Sequence, residues 1–96
     1  MRTVMAINHE VTDFDAWKTA YDGVREMQHA GGVRFQQVLR MPSEPNRVYV
    51  THVFDTREAA EAFAANPELK AAMGRAGVIE SSVKIMFFDE EESGSV

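Results

Sequence analysis

His9–Val33 reads HEVTDFDAWKTAYDGVREMQHAGGV, and His52–Val78 answers it with HVFDTREAAEAFAANPELKAAMGRAGV. In both stretches a His closes an apolar run, and an acidic helix cap follows (Asp13, Asp55). An Ala- and aromatic-rich helix then begins near Ala16 or Ala59 and stops at Gly before Val (Gly32-Val33, Gly77-Val78). Asp13 to Gly32 is 19 residues and Asp55 to Gly77 is 22, the difference matching the interruption at Asn66-Pro67. A strand–helix–strand unit written twice restricts the architecture before any chemistry is considered.

Working outward, Thr3 to His9 is an apolar strand with little alternation, as expected when both faces are covered. Phe14, Trp17, Tyr21, Val24 and Gln28 recur at helical steps and form one stripe of an amphipathic helix. Gly31-Gly32 supplies its stop. Val33–Arg40 alternates as a half-exposed strand, with Val33, Phe35, Gln37 and Leu39 on one side and Arg34, Gln36, Val38 and Arg40 on the other. Pro42 and Pro45 make the next segment a loop. Val48–Phe54 is β-branched and aromatic and forms the third strand. Asp55-Thr56-Arg57-Glu58 reads as a capping box for the second helix, which Asn66 and Pro67 restart. Ser82–Phe88 is the last strand, and the acidic, Ser/Gly-containing tail 89–96 is expected to be disordered.

The order β-α-β-β-α-β predicts one α+β domain over residues 1–88, a ferredoxin-like split βαβ fold. Its four-stranded antiparallel sheet has helices on one face. The other face, read as Met5, Ile7, Thr51, Val53 and Met86, is too apolar for water. A homodimer through that open face is the expected remedy.

Ten basic and fifteen acidic residues leave a charge of −5, which argues against nucleic acid as a partner. There is no cysteine, and no apolar run long enough to span a bilayer or basic leader is seen, so a cytoplasmic protein without membrane attachment is expected.

Three motifs carry a family likeness: His9-x-Val-x-Asp13-Phe-Asp-x-Trp17-Lys, Pro45-Asn46-x-Val48, and Phe63-x-x-Asn66-Pro-x-Leu69-Lys-x-x-Met73-x-x-Ala-Gly77-Val. Over residues 3–88 the chain resembles the dimeric α/β-barrel superfamily, in particular its antibiotic-biosynthesis-monooxygenase-like and cyclase-like branch. The resemblance implies a dimeric α/β barrel with a pocket in each protomer, between sheet and helices, for a small apolar or aromatic molecule. Quinone-forming oxygenases of this kind carry an Asn and a Trp on the third strand, where this chain has Val50 and Phe54. Haem-degrading relatives use a Trp and an iron-binding His on the second helix, matched here by Phe63 and Met73. Asn8 stands where they carry an Asn on the first strand. Losing the His removes the protein ligand to iron, so haem is not expected.

The candidate chemistry centres on His52, which alternation places on the helix-facing side with Val50 and Phe54. A buried imidazole there serves as a general base, or is simply satisfied by a neighbour. Asn8 and Ala6 are expected on that same face, with Asn8 either beside His52 or merely ending the strand. Tyr21 offers a hydroxyl to a substrate carbonyl; Trp17, Phe35, Phe54 and Phe63 line a cavity or belong to the core. His9 is read as pointing to the opposite face, so it and His52 do not converge on a metal.

The expected catalytic set is therefore His52, Asn8 and Tyr21, and the expected lining is Ala6, Trp17, Phe35, Val50, Phe54, Phe63 and Met73. No bound cofactor and no metal are expected. Two functions stay open: a cofactor-independent monooxygenase- or cyclase-type enzyme, and a non-catalytic ligand-binding or accessory dimer.

Overall fold

The computed structural model describes residues 1–96. Its elements run β1 (Thr3–Glu10), α1 (Phe14–Asp22), α2 (Arg25–Ala30), β2 (Val33–Arg40), β3 (Arg47–Phe54), α3 (Arg57–Ala64), α4 (Pro67–Arg75) and β4 (Lys84–Asp89). A 3₁₀ turn, Glu80–Ser82, precedes the last strand. All strand pairs are antiparallel and the sheet order is β2-β3-β1-β4, the ferredoxin-like arrangement of a duplicated strand–helix–strand unit.

Local chemistry accounts for the helix ends. Asp13 Oδ2 accepts the Ala16 N–H at 2.9 Å, and Asn66 Oδ1 accepts the Glu68 N–H at 2.9 Å with Pro67 in the first turn. The cap of α3 is Thr56, whose hydroxyl accepts the Ala59 N–H at 3.1 Å, one residue later than the Asp55 capping box read from the sequence. Asp55 pairs instead with Arg34, Nε to Oδ2 at 3.0 Å. The first helical stripe is continuous in sequence but is broken at Gly23-Val24 into α1 and α2. Trp17, Tyr21 and Gln28 remain buried across that break. Gly77 adopts a φ of +82°, the left-handed backbone that ends the second helical unit, and a Cβ there would meet Thr12 Oγ1 at 2.6 Å. Asp89 still pairs with Thr3, and the Glu90 N–H reaches the Arg2 carbonyl at 2.9 Å.

The faces of two strands differ from the sequence reading. In β1, Met5 lies opposite His52 and Ile7 opposite Val50, so Met5, Ile7 and His9 face the helices. Ala6 and Asn8 lie opposite Thr51 and Tyr49 on the open face. The cause is that Val4, Met5, Ala6 and Ile7 are all apolar, so alternation carried no parity and only the cross-strand register decides it. In β2, a one-residue bulge at Arg34 breaks the ladder between Val33 and Phe35. Val33 faces inward, while Phe35, Gln37 and Leu39 pair with Val53, Thr51 and Tyr49 on the open face. Gln36 and Val38 turn in beside His52 and Val50. The open face therefore exposes Phe35 (65%), Leu39, Met86 and Phe88 rather than Met5 and Ile7.

Two apolar clusters fill the space between sheet and helices. One contains Ile7, Val11, Trp17, Tyr21, Val48 and Val50; the other contains Met5, Val33, Phe54, Ala60 and Phe63. His52 joins them, with ring centroids 6.1 Å from Tyr21 and 5.9 Å from Phe63.

Candidate functional site

The duplicated units each donate one half of a polar pair. Tyr21 comes from α1, anchored by the Asp13 cap and stacked on Trp17 at 4.8 Å between centroids. His52 comes from β3, four per cent exposed. Tyr21 Oη lies 2.9 Å from His52 Nε2 and 3.2 Å from Gln36 Oε1. Gln36 reaches this point only because the Arg34 bulge turns it inward, so a simple alternation count misses it.

The three groups fix one another's protons. The phenol has a single hydrogen and two neighbours able to accept it. If the phenol donates to Gln36 Oε1, His52 holds its hydrogen on Nε2 and donates to Tyr21, leaving Nδ1 with a bare lone pair. The opposite arrangement leaves an N–H at Nδ1 without an acceptor, since that atom is buried and unpartnered. A buried orphan donor is the costlier of the two states. The geometry thus favours an imidazole with a free acceptor nitrogen at Nδ1.

Burial pushes the His52 pKa down to about 4 and that of Tyr21 up to about 12, so both are neutral at pH 7. A neutral imidazole with so low a pKa is a weak base toward a neutral acid. Proton transfer from a bound acid creates an imidazolium beside an anion, and in a low-dielectric interior that pair stabilises itself. Nε2–H, the phenol and Gln36 then spread the charge along the hydrogen-bonded chain.

His9 lies within the same interior, its ring 5.7 Å edge-on from Trp17, its Nδ1 also buried without a partner and its pKa lowered by burial to about 4. The sequence reading put it on the opposite face; the β1 register reverses that. His9 and His52 thus share one face of the sheet, although no three His, Asp or Glu groups gather at metal-binding distance.

A cavity of about 50 Å³ opens here, lined by Tyr21, His52, Trp17, Val50, Phe63 and Met73 among others. Of the expected residues, Trp17, Val50, Phe63 and Met73 border it and Tyr21 and His52 supply polar atoms. Phe54 is fully buried behind Phe63, their centroids 5.6 Å apart, and does not border the space. Ala6 and Phe35 lie on the open face. Asn8 is also there, and its Oδ1 accepts from Arg47 Nη2 at 2.6 Å, so it does not meet His52. His9, Gln28 and Gln36 are polar groups at the site that sequence reasoning left out; the parity of β1 and the bulge in β2 hid two of them.

A ferredoxin-like sheet, roofed on one side by helices over a small aromatic-lined cavity, defines a class of small α+β domains. Within that class the family is shown by a family model, antibiotic biosynthesis monooxygenase, which matches residues 4–75; the chain belongs to this family. Among solved structures, a point mutant of SnoaB, a cofactor-independent oxygenase from Streptomyces nogalater, superposes with a TM-score of 0.76 at 12% identity, covering 96% of this chain and 95% of that one. Rv0793 from Mycobacterium tuberculosis gives 0.72 at 12% identity, covering 99% and 100%. At such identities the likeness is one of fold. No curated protein matches the chain. No helix is long and apolar enough to cross a membrane.

Proposed function

We propose that the protein is a homodimer whose interior binds a small aromatic molecule bearing an acidic C–H or O–H group, and acts on it as a cofactor-independent monooxygenase- or cyclase-type enzyme. The observation that carries this reading is His52: an imidazole buried among apolar side chains, with Nε2 held by Tyr21 and Nδ1 left bare. His52 Nδ1 takes the acidic proton of the bound ligand, and the Tyr21–Gln36 chain steadies the imidazolium. For an anthrone-type ligand the resulting carbanion reduces dioxygen, and the hydroperoxide formed loses water to give the quinone. The atoms balance as anthrone plus dioxygen giving quinone plus water. The similarity to a cofactor-independent oxygenase supports that chemistry.

The homodimer is supported by the open face, where Phe35 and Leu39 on the β2 edge and Met86 and Phe88 on the β4 edge lie exposed. The cavity volume of about 50 Å³ favours a second reading, a non-catalytic ligand-binding or accessory dimer. The deciding experiment is turnover of a panel of anthrones and polyketide-like phenols, followed by oxygen uptake and product absorbance. His52→Ala is expected to abolish conversion while the fold, checked by circular dichroism, persists. Binding of these ligands with no conversion by the wild-type protein supports the accessory reading; conversion unaffected by His52→Ala removes His52 from the chemistry.

A further inference from the structure

The inner cavity is too small for the ligand just proposed: about 50 Å³, against about 150 Å³ for a cavity that admits a single benzene ring. A second depression of about 380 Å³ lies beside α4, lined by Ala64, Leu69, Met73, Val78, Val83 and Ile85 with Lys70, Gly74 and Glu80. Leu69 and Met73 belong to the walls of both spaces. They are the partition between them.

We propose that the ligand site is bipartite: when Leu69 and Met73 turn aside the two spaces join, an aromatic head bearing a hydroxyl then lies against His52 and Tyr21 in the widened inner cavity, and an apolar tail lies in the groove beside α4. This rests on the ligand-binding reading above and specifies the shape of the molecule. Four observations carry it. Neither space suffices alone, since the inner one holds the reactive polar atoms but not the volume, and the outer one holds the volume but an apolar lining. The charged groups of the outer groove, Lys70 and Glu80, are committed to each other at 3.3 Å and stand largely in solvent, at its rim. The partition is carried by a helix with no buried residue, and one of its two side chains is Met, whose unbranched chain repacks readily. Finally, Gly74 leaves α4 bare at the groove: a Cβ there would meet no atom within 4 Å.

A third depression touches Gln28 and Gln36 from the β2 edge, but Arg25, Glu26, His29 and Arg34 surround it. An apolar tail gains nothing by lying among those groups. It remains a water-facing approach to the Tyr21–Gln36 end of the site.

The test uses 4-alkylphenols, from 4-methylphenol to 4-hexylphenol, with affinity measured by equilibrium dialysis. Quenching of Trp17, the single tryptophan, reports arrival at the inner cavity. Affinity should rise about fourfold per added methylene as the tail fills the groove. Gly74→Leu, which projects a side chain into the groove, should flatten that rise; Ile85→Trp narrows the groove from the opposite wall and should do the same. Trp17 quenching by every phenol with no dependence on chain length overturns the bipartite site and leaves the inner-cavity reading standing. So does a rise that persists undiminished in both variants. Binding that never quenches Trp17, or no binding at all, overturns the inner-cavity reading and the bipartite site together.

Discussion

Acidification from pH 7.5 to pH 5 should unfold this protein more readily, and His9 and His52 should account for a defined share of the loss. Both imidazoles are almost wholly buried, and burial lowers each pKa to about 4, against 6.5 for the exposed group. The folded-state pKa is depressed, so the unfolded chain binds more protons between these values. Stability is therefore complete above about pH 6.5, falls as the pH drops, and stops falling from this source near pH 4. At pH 5 the linkage relation gives roughly 2 kcal/mol lost per histidine, and roughly 4 kcal/mol for the pair. That is a large part of the 5–15 kcal/mol typical of a folded domain. Urea unfolding at fixed protein concentration, followed by Trp17 fluorescence at pH 7.5, 6 and 5, measures the loss. His52→Gln should lose about 2 kcal/mol less over the same interval than the wild type, whatever its starting stability. An equal loss in both proteins, or a His52 titration near pH 6.5 by NMR, would show that the imidazole is not held neutral by burial, and the picture of its bare Nδ1 would fail with it.

Four other outcomes test separate parts of the structure. Gly31→Ala puts a Cβ 2.5 Å from Phe63 Cδ1, and the overpacking should cost about 1–3 kcal/mol in chemical denaturation; a neutral result would mean that α2 and α3 are not so closely apposed. Phe35→Glu combined with Leu39→Glu should convert the proposed dimer to monomer in sedimentation velocity, whereas Asn8→Ala, which removes one contact of Arg47 on the open face, should leave alkylphenol affinity within about twofold of wild type. Gln36→Leu removes the acceptor for the Tyr21 hydroxyl, so ¹⁵N shifts of His52 should report transfer of its hydrogen from Nε2 to Nδ1; shifts identical to wild type would show that Gln36 does not set the tautomer.

The architecture was readable because its signals are local and repeated. Asp13, Asn66-Pro67 and Gly77 act within a few residues of themselves, and their spacing predicts the element order that the sheet topology shows. His52, Val50 and Phe54 kept their parity because β3 follows a plain alternation of buried and half-buried positions. The site was only half readable. Met5, Ile7 and His9 were assigned to the wrong side because an apolar strand gives no parity signal, and its orientation is set by partners far along the chain. Phe35 and Gln36 exchanged faces because a bulge adds one residue with no compositional mark beyond an exposed Arg. Thr56 displaced Asp55 at the α3 cap because Asp55 found a cation on the neighbouring strand, a non-local competitor.

The bulge at Arg34 makes the edge strand unusually sensitive to length. Excising Arg34 restores an unbroken pleat from Val33 onward and keeps Gln36 beneath the phenol, at the loss of one surface ion pair. Excising any single residue between Gln36 and Arg40 instead shifts the remainder of the strand by one step, exchanging its wetted and sheltered side chains. Homologous chains can thus shed a residue at 34 without rearranging the inner cavity, whereas a gap slightly further along turns that wall inside out.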